Sequence, residues 1–207
     1  GKDKKVIRIA DLLTHSSGLP PYAPAAELEQ KYGSPNPAGL MEYIAGCKRD
    51  FKPQTGFQYS CLNFITLQHI IEAVSGQSLR DFACENVFDV LGMKHTDYLP
   101  CLRDKNGKWI NTVPLPENIA PTEKQPDGQV LCGQVFSCAE DIAILCAALQ
   151  NGGEWNGHRI LSPQGVKTMR TVPRATADLG RSPGWDVCSP YASNAGDFFG
   201  PNTYGHT

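Results

Sequence analysis

Apolar residues fall at helical spacing through much of this chain. The clearest run is Leu62, Ile65, Leu67, Ile70, Ile71 and Val74, which predicts a helix from Leu62 to Val74 ended by Gly76. Ahead of it, Ala10 to His15 reads as a short helix closed by Gly18 and stopped by Pro20-Pro21. Ala25 to Tyr32 reads as a second helix, and Leu40, Ile44 and Cys47 place a third after Ser34-Pro35-Asn36-Pro37. Behind the main run, Ser78-Leu79-Arg80-Asp81 is a capping box with an acidic third position. Phe82, Val87 or Phe88, and Leu91 then give that helix its apolar side. Ser137-Cys138-Ala139-Glu140 reads as a regular capping box opening a helix from Ala139 to Gln150, with Ile142, Leu145 and Leu149 inward. Ser162-Pro163 starts a last helix through Met169.

Elsewhere the helical period is lost. Between Lys94 and Gln134 the chain carries Pro100, Pro114, Pro116, Pro121 and Pro126, the signature of a long connection. Asn106-Gly107 and Asn156-Gly157 each sit between short extended pieces and predict tight hairpin turns, because both residue types tolerate positive φ. Trp185-Asp186-Val187 and Thr203-Tyr204 read as short strands. The chain shows no internal repeat and no low-complexity tract.

Composition narrows the function classes. With 207 residues and 41% hydrophobic content the chain can bury a core as one large domain or two small ones. A net charge of −2 without a basic cluster argues against nucleic acid as a partner. The longest purely apolar run, Ile142 to Leu149, is too short to span a bilayer, so no transmembrane segment is expected. Lys2, Lys4 and Lys5 are not followed by an apolar signal core, so no export signal is read here. None of the eight cysteines forms a Cys-x-x-Cys pair, and no His stands at finger spacing from one, so no metal site is expected. An even count permits disulfides, but several cysteines lie in apolar helical patterns, and reduced, buried thiols are the expectation. His15, at the end of a short helix, is read as a carbonyl partner or dipole complement rather than a catalytic base.

The stretch with the most chemistry is Lys52-Pro53-Gln54-Thr55-Gly56-Phe57-Gln58-Tyr59-Ser60-Cys61-Leu62-Asn63-Phe64. Pro53 and Gly56 force a loop, and Tyr59 and Ser60 fall where it runs into the next helix. A phenol and a hydroxyl there are held by a rigid element yet left accessible. Spacing alone fits a plain helix start with a serine cap. Five further stretches change that picture. They are Ile9-Ala10-Asp11-Leu12-Leu13-Thr14-His15-Ser16-Ser17-Gly18-Leu19-Pro20, Val74-Ser75-Gly76, Leu91-Gly92-Met93-Lys94-His95-Thr96, Phe136-Ser137-Cys138-Ala139-Glu140-Asp141 and Tyr204-Gly205-His206-Thr207. In that order they resemble the serine β-lactamase and penicillin-binding protein superfamily. The resemblance is to the branch with class C β-lactamases, D-alanyl-D-alanine carboxypeptidases and related esterases.

The resemblance implies an α+β, β-lactamase/transpeptidase-like fold. It implies one related domain over residues 1–207, helical from about 9 to 170 and approaching the sheet from about 171 to 207. It implies acyl transfer through a serine, on a β-lactam, a D-Ala-D-Ala peptide or an ester, with no cofactor, and it favours an exported, periplasmic parent. The nucleophile of such enzymes is the serine of Ser-x-x-Lys. No serine here has a lysine three residues on, so the resemblance places the nucleophile ahead of this chain and the remaining sheet strands behind it. Tyr59-Ser60-Cys61 matches Tyr-x-Asn, making Tyr59 the general base and later proton donor, with Ser60 and Cys61 at the substrate; Cys61 replaces the motif's amide. His206-Thr207 matches the start of Lys-Thr-Gly in its His-Thr-Gly variant, again as a substrate-binding pair. Relatives also carry a glycine-rich loop between the positions matching Val135 and Phe136, which this chain lacks. A reading from another class is a non-catalytic member of the fold that binds peptidoglycan-like ligands or a protein partner, kept open by Cys61.

Overall fold

The computed structural model describes residues 2–33, 36–98, 101–103, 109–111, 135–187, 200 and 203–206, the pieces 101–103 and 109–111 by backbone alone. The helices are α1 (Ile9–Leu13), α2 (Ala25–Tyr32), α3 (Pro37–Gly46), α4 (Cys61–Ser75), α5 (Leu79–Ala83), α6 (Asp89–Leu91), α7 (Ala139–Gln150) and α8 (Pro163–Met169). The strands β1 (Cys101–Arg103) and β2 (Trp109–Asn111) pair antiparallel, as do β3 (Glu154–Trp155) and β4 (His158–Arg159). A three-stranded antiparallel sheet holds β5 (Arg181–Ser182), β6 (Trp185–Val187) and β7 (Tyr204–Gly205) in that order.

Two apolar clusters hold these elements. In the first, Leu12, Leu19, Leu28, Leu40, Ile44, Leu62 and Ile65 join α1 to α4. In the second, Ala83, Phe88, Leu91, Met93, Tyr98 and Ala148 pack α5, α6 and α7 together. Burial drives both, at about 25 cal/mol for each Å² of apolar surface removed from water. α4 begins with Ser60 in extended backbone and ends at Gly76 in the left-handed region, as its sequence predicts. Its apolar stripe is shorter than expected, because Val74 is 84% exposed, beyond the point where α4 still packs on the first cluster.

Several local expectations are corrected. The helix after Ser78 is not regular: α5 passes through a π-helical turn at Cys84–Phe88 before α6, which turns Phe88 and Leu91 into the second cluster. Ser78 does cap α5, accepting from the Asp81 backbone N–H, but its hydroxyl donates to the Asp81 carboxylate in place of the usual reciprocal bond. The predicted Ser137 box does not form. Cys138 occupies the N-cap position without a side-chain cap, while the Ser137 hydroxyl meets that of Thr96 at 2.7 Å. The buried position at that helix start belongs to Asp141, which accepts from the His95 N–H and the Thr96 hydroxyl, both at 2.7 Å. That rotates α7 so that Ile142, expected inside, is 44% exposed, while Ala148 and Leu149 are buried. Ser162 caps α8 as predicted, accepting from Gly165 N–H at 3.0 Å with Pro163 in the first turn.

Asn156 and Gly157, at φ 49° and 82°, make the tight turn between β3 and β4. Asn106-Gly107 lies outside the described residues, though the flanking strands pair Cys101 with Asn111 and Arg103 with Trp109. Phe136 is seated by two backbone hydrogen bonds with Asp97, of 2.8 and 2.9 Å. Cys47, Cys84, Cys138 and Cys146 are free thiols, but none is buried and Cys146 is exposed, so the buried-thiol expectation fails for them. No helix among the described residues is long and apolar enough to cross a membrane.

Candidate active site

The loop that carries Tyr59 is laid along the segment from Thr14 to Pro21. Backbone donors of Asp50, Gln54, Gln58 and Cys61 reach the carbonyls of Gly18, Ser16, His15 and Pro21, at 2.8, 2.8, 3.0 and 2.9 Å. Gly18 is required for this approach: it has φ 79°, and a Cβ there would lie 2.1 Å from the Phe51 carbonyl oxygen. Ser17 donates to Asn63 Oδ1 at 2.6 Å and accepts the Leu19 N–H at 3.0 Å. That fixes the Asn63 amide with its Nδ2 toward His15 Nδ1, at 3.0 Å. His15 Nδ1 also accepts the Ser60 N–H at 3.1 Å. With Nδ1 accepting from both, the ring proton sits on Nε2.

His15 is therefore not the carbonyl partner or dipole complement its position suggests. It is fully buried, with φ 55°, and burial, followed by the neighbouring Arg181 and His206, pushes its pKa down to about 3. A neutral imidazole cannot complement a helix dipole; this one is a fixed acceptor for the Ser60 N–H at the start of α4. Its ring lies against Tyr59 at 4.3 Å between centroids and against Phe64 at 5.2 Å. The Tyr59 side chain is set by that stack and by the extended backbone at Ser60.

Tyr59 is 38% exposed and stands on the wall of a cleft of about 670 Å³. Cys61 and His206 line the same cleft, with Leu13, Phe64, Ile70 and Tyr98 forming part of its apolar body. The Tyr59 and His206 rings are 6.2 Å apart, although 147 positions separate them in sequence. Sheet register explains the meeting. The turn between β5 and β6 is tied to α1 by the Gly184 N–H donating to the Leu13 carbonyl at 2.9 Å, and β7 pairs with β6 so that His206 follows at its end. Ser60 does not reach the cleft. It is fully buried and its hydroxyl donates to the Pro20 carbonyl at 2.5 Å, so its contact with substrate is corrected to a structural tie. Thr207 lies outside the described residues.

Three residues near this cleft have no place in the motif reading. Asn63 and Gln68 are buried polar residues within the apolar α4, and that break in the stripe was a legible signal. Asn63 does not restore the amide that Cys61 replaces, since it is turned inward to His15 and Ser17. Arg181 is the third, and a lone arginine in a two-residue strand gives no sequence signal. Its guanidinium carbon stands 6.0 Å from the Tyr59 ring centroid, and its Nη1 donates to Asp186 at 2.8 Å. Of the five buried side-chain atoms without a partner among the described residues, four belong to His15, Gln68 and Arg181. Such atoms are costly in a folded protein, and here they gather around one phenol and its cleft.

A match to the Beta-lactamase family runs over residues 1–207. The chain belongs to the beta-lactamase family. Within it, this beta-lactamase-family chain is 28% identical over 240 aligned positions to a protein of Escherichia coli K12 provisionally named a D-alanyl-D-alanine carboxypeptidase. That alignment covers 100% of the chain and 53% of the relative, so the chain spans about half the length of the relatives it matches. The alignment is also longer than the chain, so the relative carries further residues inside the matched region. Among solved structures, a provisionally named beta-lactamase of Bacteroides dorei superposes with a TM-score of 0.63 at 21% identity, over 89% of this chain and 54% of that one. The octameric penicillin-binding protein homologue of Pyrococcus abyssi superposes with a TM-score of 0.59 at 22% identity, over 86% and 42%. The mixed helix-and-sheet beta-lactamase/transpeptidase-like fold is thereby shown.

Proposed function

We propose that this chain is part of a serine hydrolase that works through an acyl-enzyme, with Tyr59 as general base and His206 as a cleft-wall donor. The observation that carries the reading is the meeting of Tyr59, Cys61 and His206 on one cleft although 147 positions separate Tyr59 from His206. In the reaction, the phenolate takes the proton from the serine hydroxyl as its oxygen bonds to the substrate carbonyl carbon. The same phenol returns that proton to the leaving nitrogen or oxygen as the acyl bond breaks. Substrates are a β-lactam, a D-Ala-D-Ala peptide or an ester, in line with the carboxypeptidase name of the E. coli relative. Cys61 in place of the motif amide favours simple ester or peptide acylation over β-lactam turnover.

Because no Ser-x-x-Lys occurs in the 207 residues, the chain alone has no turnover in this reading. Intact-mass measurement of the full-length protein after exposure to penicillin or an activated phosphonate tests the proposal. A stoichiometric adduct on a serine supports it. An unmodified mass with retained, saturable binding supports instead a non-catalytic ligand-binding member of the family, the reading that Cys61 keeps open.

A further inference from the structure

We propose that Arg181 is the fixed cation that favours ionisation of Tyr59, acting as a positioning residue through the phenol rather than on the substrate. This rests on the reading of Tyr59 as general base. Arg181 is 1% exposed and is not among the residues lining the cleft, so it is not placed to bind substrate. Its guanidinium carbon is 6.0 Å from the Tyr59 ring centroid. One nitrogen, Nη1, is engaged by Asp186, while Nε and Nη2 have no partner among the described residues. A buried guanidinium with two unspent donors is expensive. Its field acts on neighbours far more strongly there than it would in water.

The position is built in by the strands. Arg181 pairs with Asp186 across β5 and β6, Thr176 Oγ1 donates to the Arg181 carbonyl, and the turn at Gly184 is anchored to Leu13. Among the described residues, the charged and titratable groups near Tyr59 include Arg181, its counter-ion Asp186, His206 at 6.2 Å and His15 at 4.3 Å. His15 is held neutral, partly by the same arginine, and contributes no charge. His206 is exposed. Arg181 supplies a positive charge that does not change over the working pH range.

The test reads Tyr59 itself in the full-length protein, through the NMR shift of its ring ζ-carbon as pH rises, with Tyr59→Phe assigning the signal. The expected midpoint is at least one unit below the ordinary tyrosine value of about 10. In Arg181→Met/Asp186→Asn, which leaves no unpaired charge, acidity should fall at least tenfold; Arg181→Lys should keep most of it. The same midpoint in wild type and in a folded double variant overturns the proposal. Should the double variant fail to fold, Asp186→Asn alone decides. Releasing Arg181 from its counter-ion must lower the midpoint, and an unchanged or raised one overturns the inference. Because the readout is a titration, it stands apart from catalysis. A full-length Tyr59→Phe protein that acylates at the wild-type rate would sink the general-base reading and leave the effect of Arg181 intact.

Discussion

The molecule contains two buried polar knots, and they solve the same problem in opposite ways. Beside the second apolar cluster, Arg80 grips Asp97 with two hydrogen bonds of 2.7 Å, and Asp97 also accepts the Tyr98 N–H at 2.6 Å. Next to it Asp141 accepts from His95 and Thr96. This knot is charged and well paired. Burial keeps the nearby Tyr98 phenol neutral, with its pKa pushed up to about 12. Beside the first cluster, His15, Ser17, Ser60 and Asn63 form a knot of neutral groups, yet among the described residues His15 Nε2 has no partner and Arg181 stands close by with two donors likewise unpaired. The first knot pairs its charges. The knot behind Tyr59 leaves polar capacity unspent among the described residues, and that is where chemistry can use it.

The sharpest way to break the comparison is to unpair the charged knot. Arg80→Met leaves the Asp97 carboxylate buried without its bidentate partner, at a cost of about 3–5 kcal/mol. Arg80→Met/Asp97→Asn should recover a substantial part of that loss in urea unfolding. If the single and double variants lose the same stability, charge pairing is not what holds this region.

Acid tests the neutral knot. His15 has its folded pKa lowered to about 3 from 6.5, so below pH 6.5 the unfolded chain takes up a proton that the folded chain refuses. The stabilising contribution is fully present above pH 6.5 and shrinks as pH falls toward 3, by about 1.4 kcal/mol per unit. At pH 5 the expected loss is about 2 kcal/mol. His15→Gln, which has nothing to titrate in that range, should flatten this part of the stability curve. A slope that persists in the variant assigns the acid sensitivity elsewhere.

The helical framework was legible because it depends on period and punctuation, as at Gly76 and at Ser162-Pro163. Within the site, Tyr59 and His206 were legible only through the order of motifs, since no local spacing requires β7 to meet the start of α4. What escaped was where buried polar atoms send their bonds. Ser60 looks like a cap, and Ser137 like half of a capping box, until the Pro20 carbonyl and Thr96 claim their hydroxyls. Those partners lie 40 and 41 positions away, and local patterns carry no information about them. Arg181 escaped for the same reason, being defined by a tertiary neighbour rather than by its own segment.

Within the neutral knot, Asn63→Leu keeps the side-chain bulk and removes both the donor to His15 and the acceptor from Ser17. The expected cost is about 1–3 kcal/mol, the range for leaving buried groups unsatisfied. Hydrogen exchange should quicken first at Gln58 and Ser60, whose N–H groups end on His15. Faster exchange confined to the second cluster would show that the knot does not hold the Tyr59 loop.

The smallest expected change in stability is at the residue expected to matter most for chemistry. Tyr59→Phe keeps the ring that packs on His15 and removes only the hydroxyl of a side chain that is 38% exposed. Unfolding free energy should shift by less than about 1 kcal/mol. In the full-length protein the same substitution should slow acylation by about 10²–10⁴-fold, the usual worth of a positioned acid–base group. The contrast with Arg80→Met is then one of kind, since one change acts first on stability and the other slows the reaction without loosening the fold. Acylation that survives Tyr59→Phe with its pH profile unchanged would return the phenol to an ordinary packing role and leave the cleft without its base.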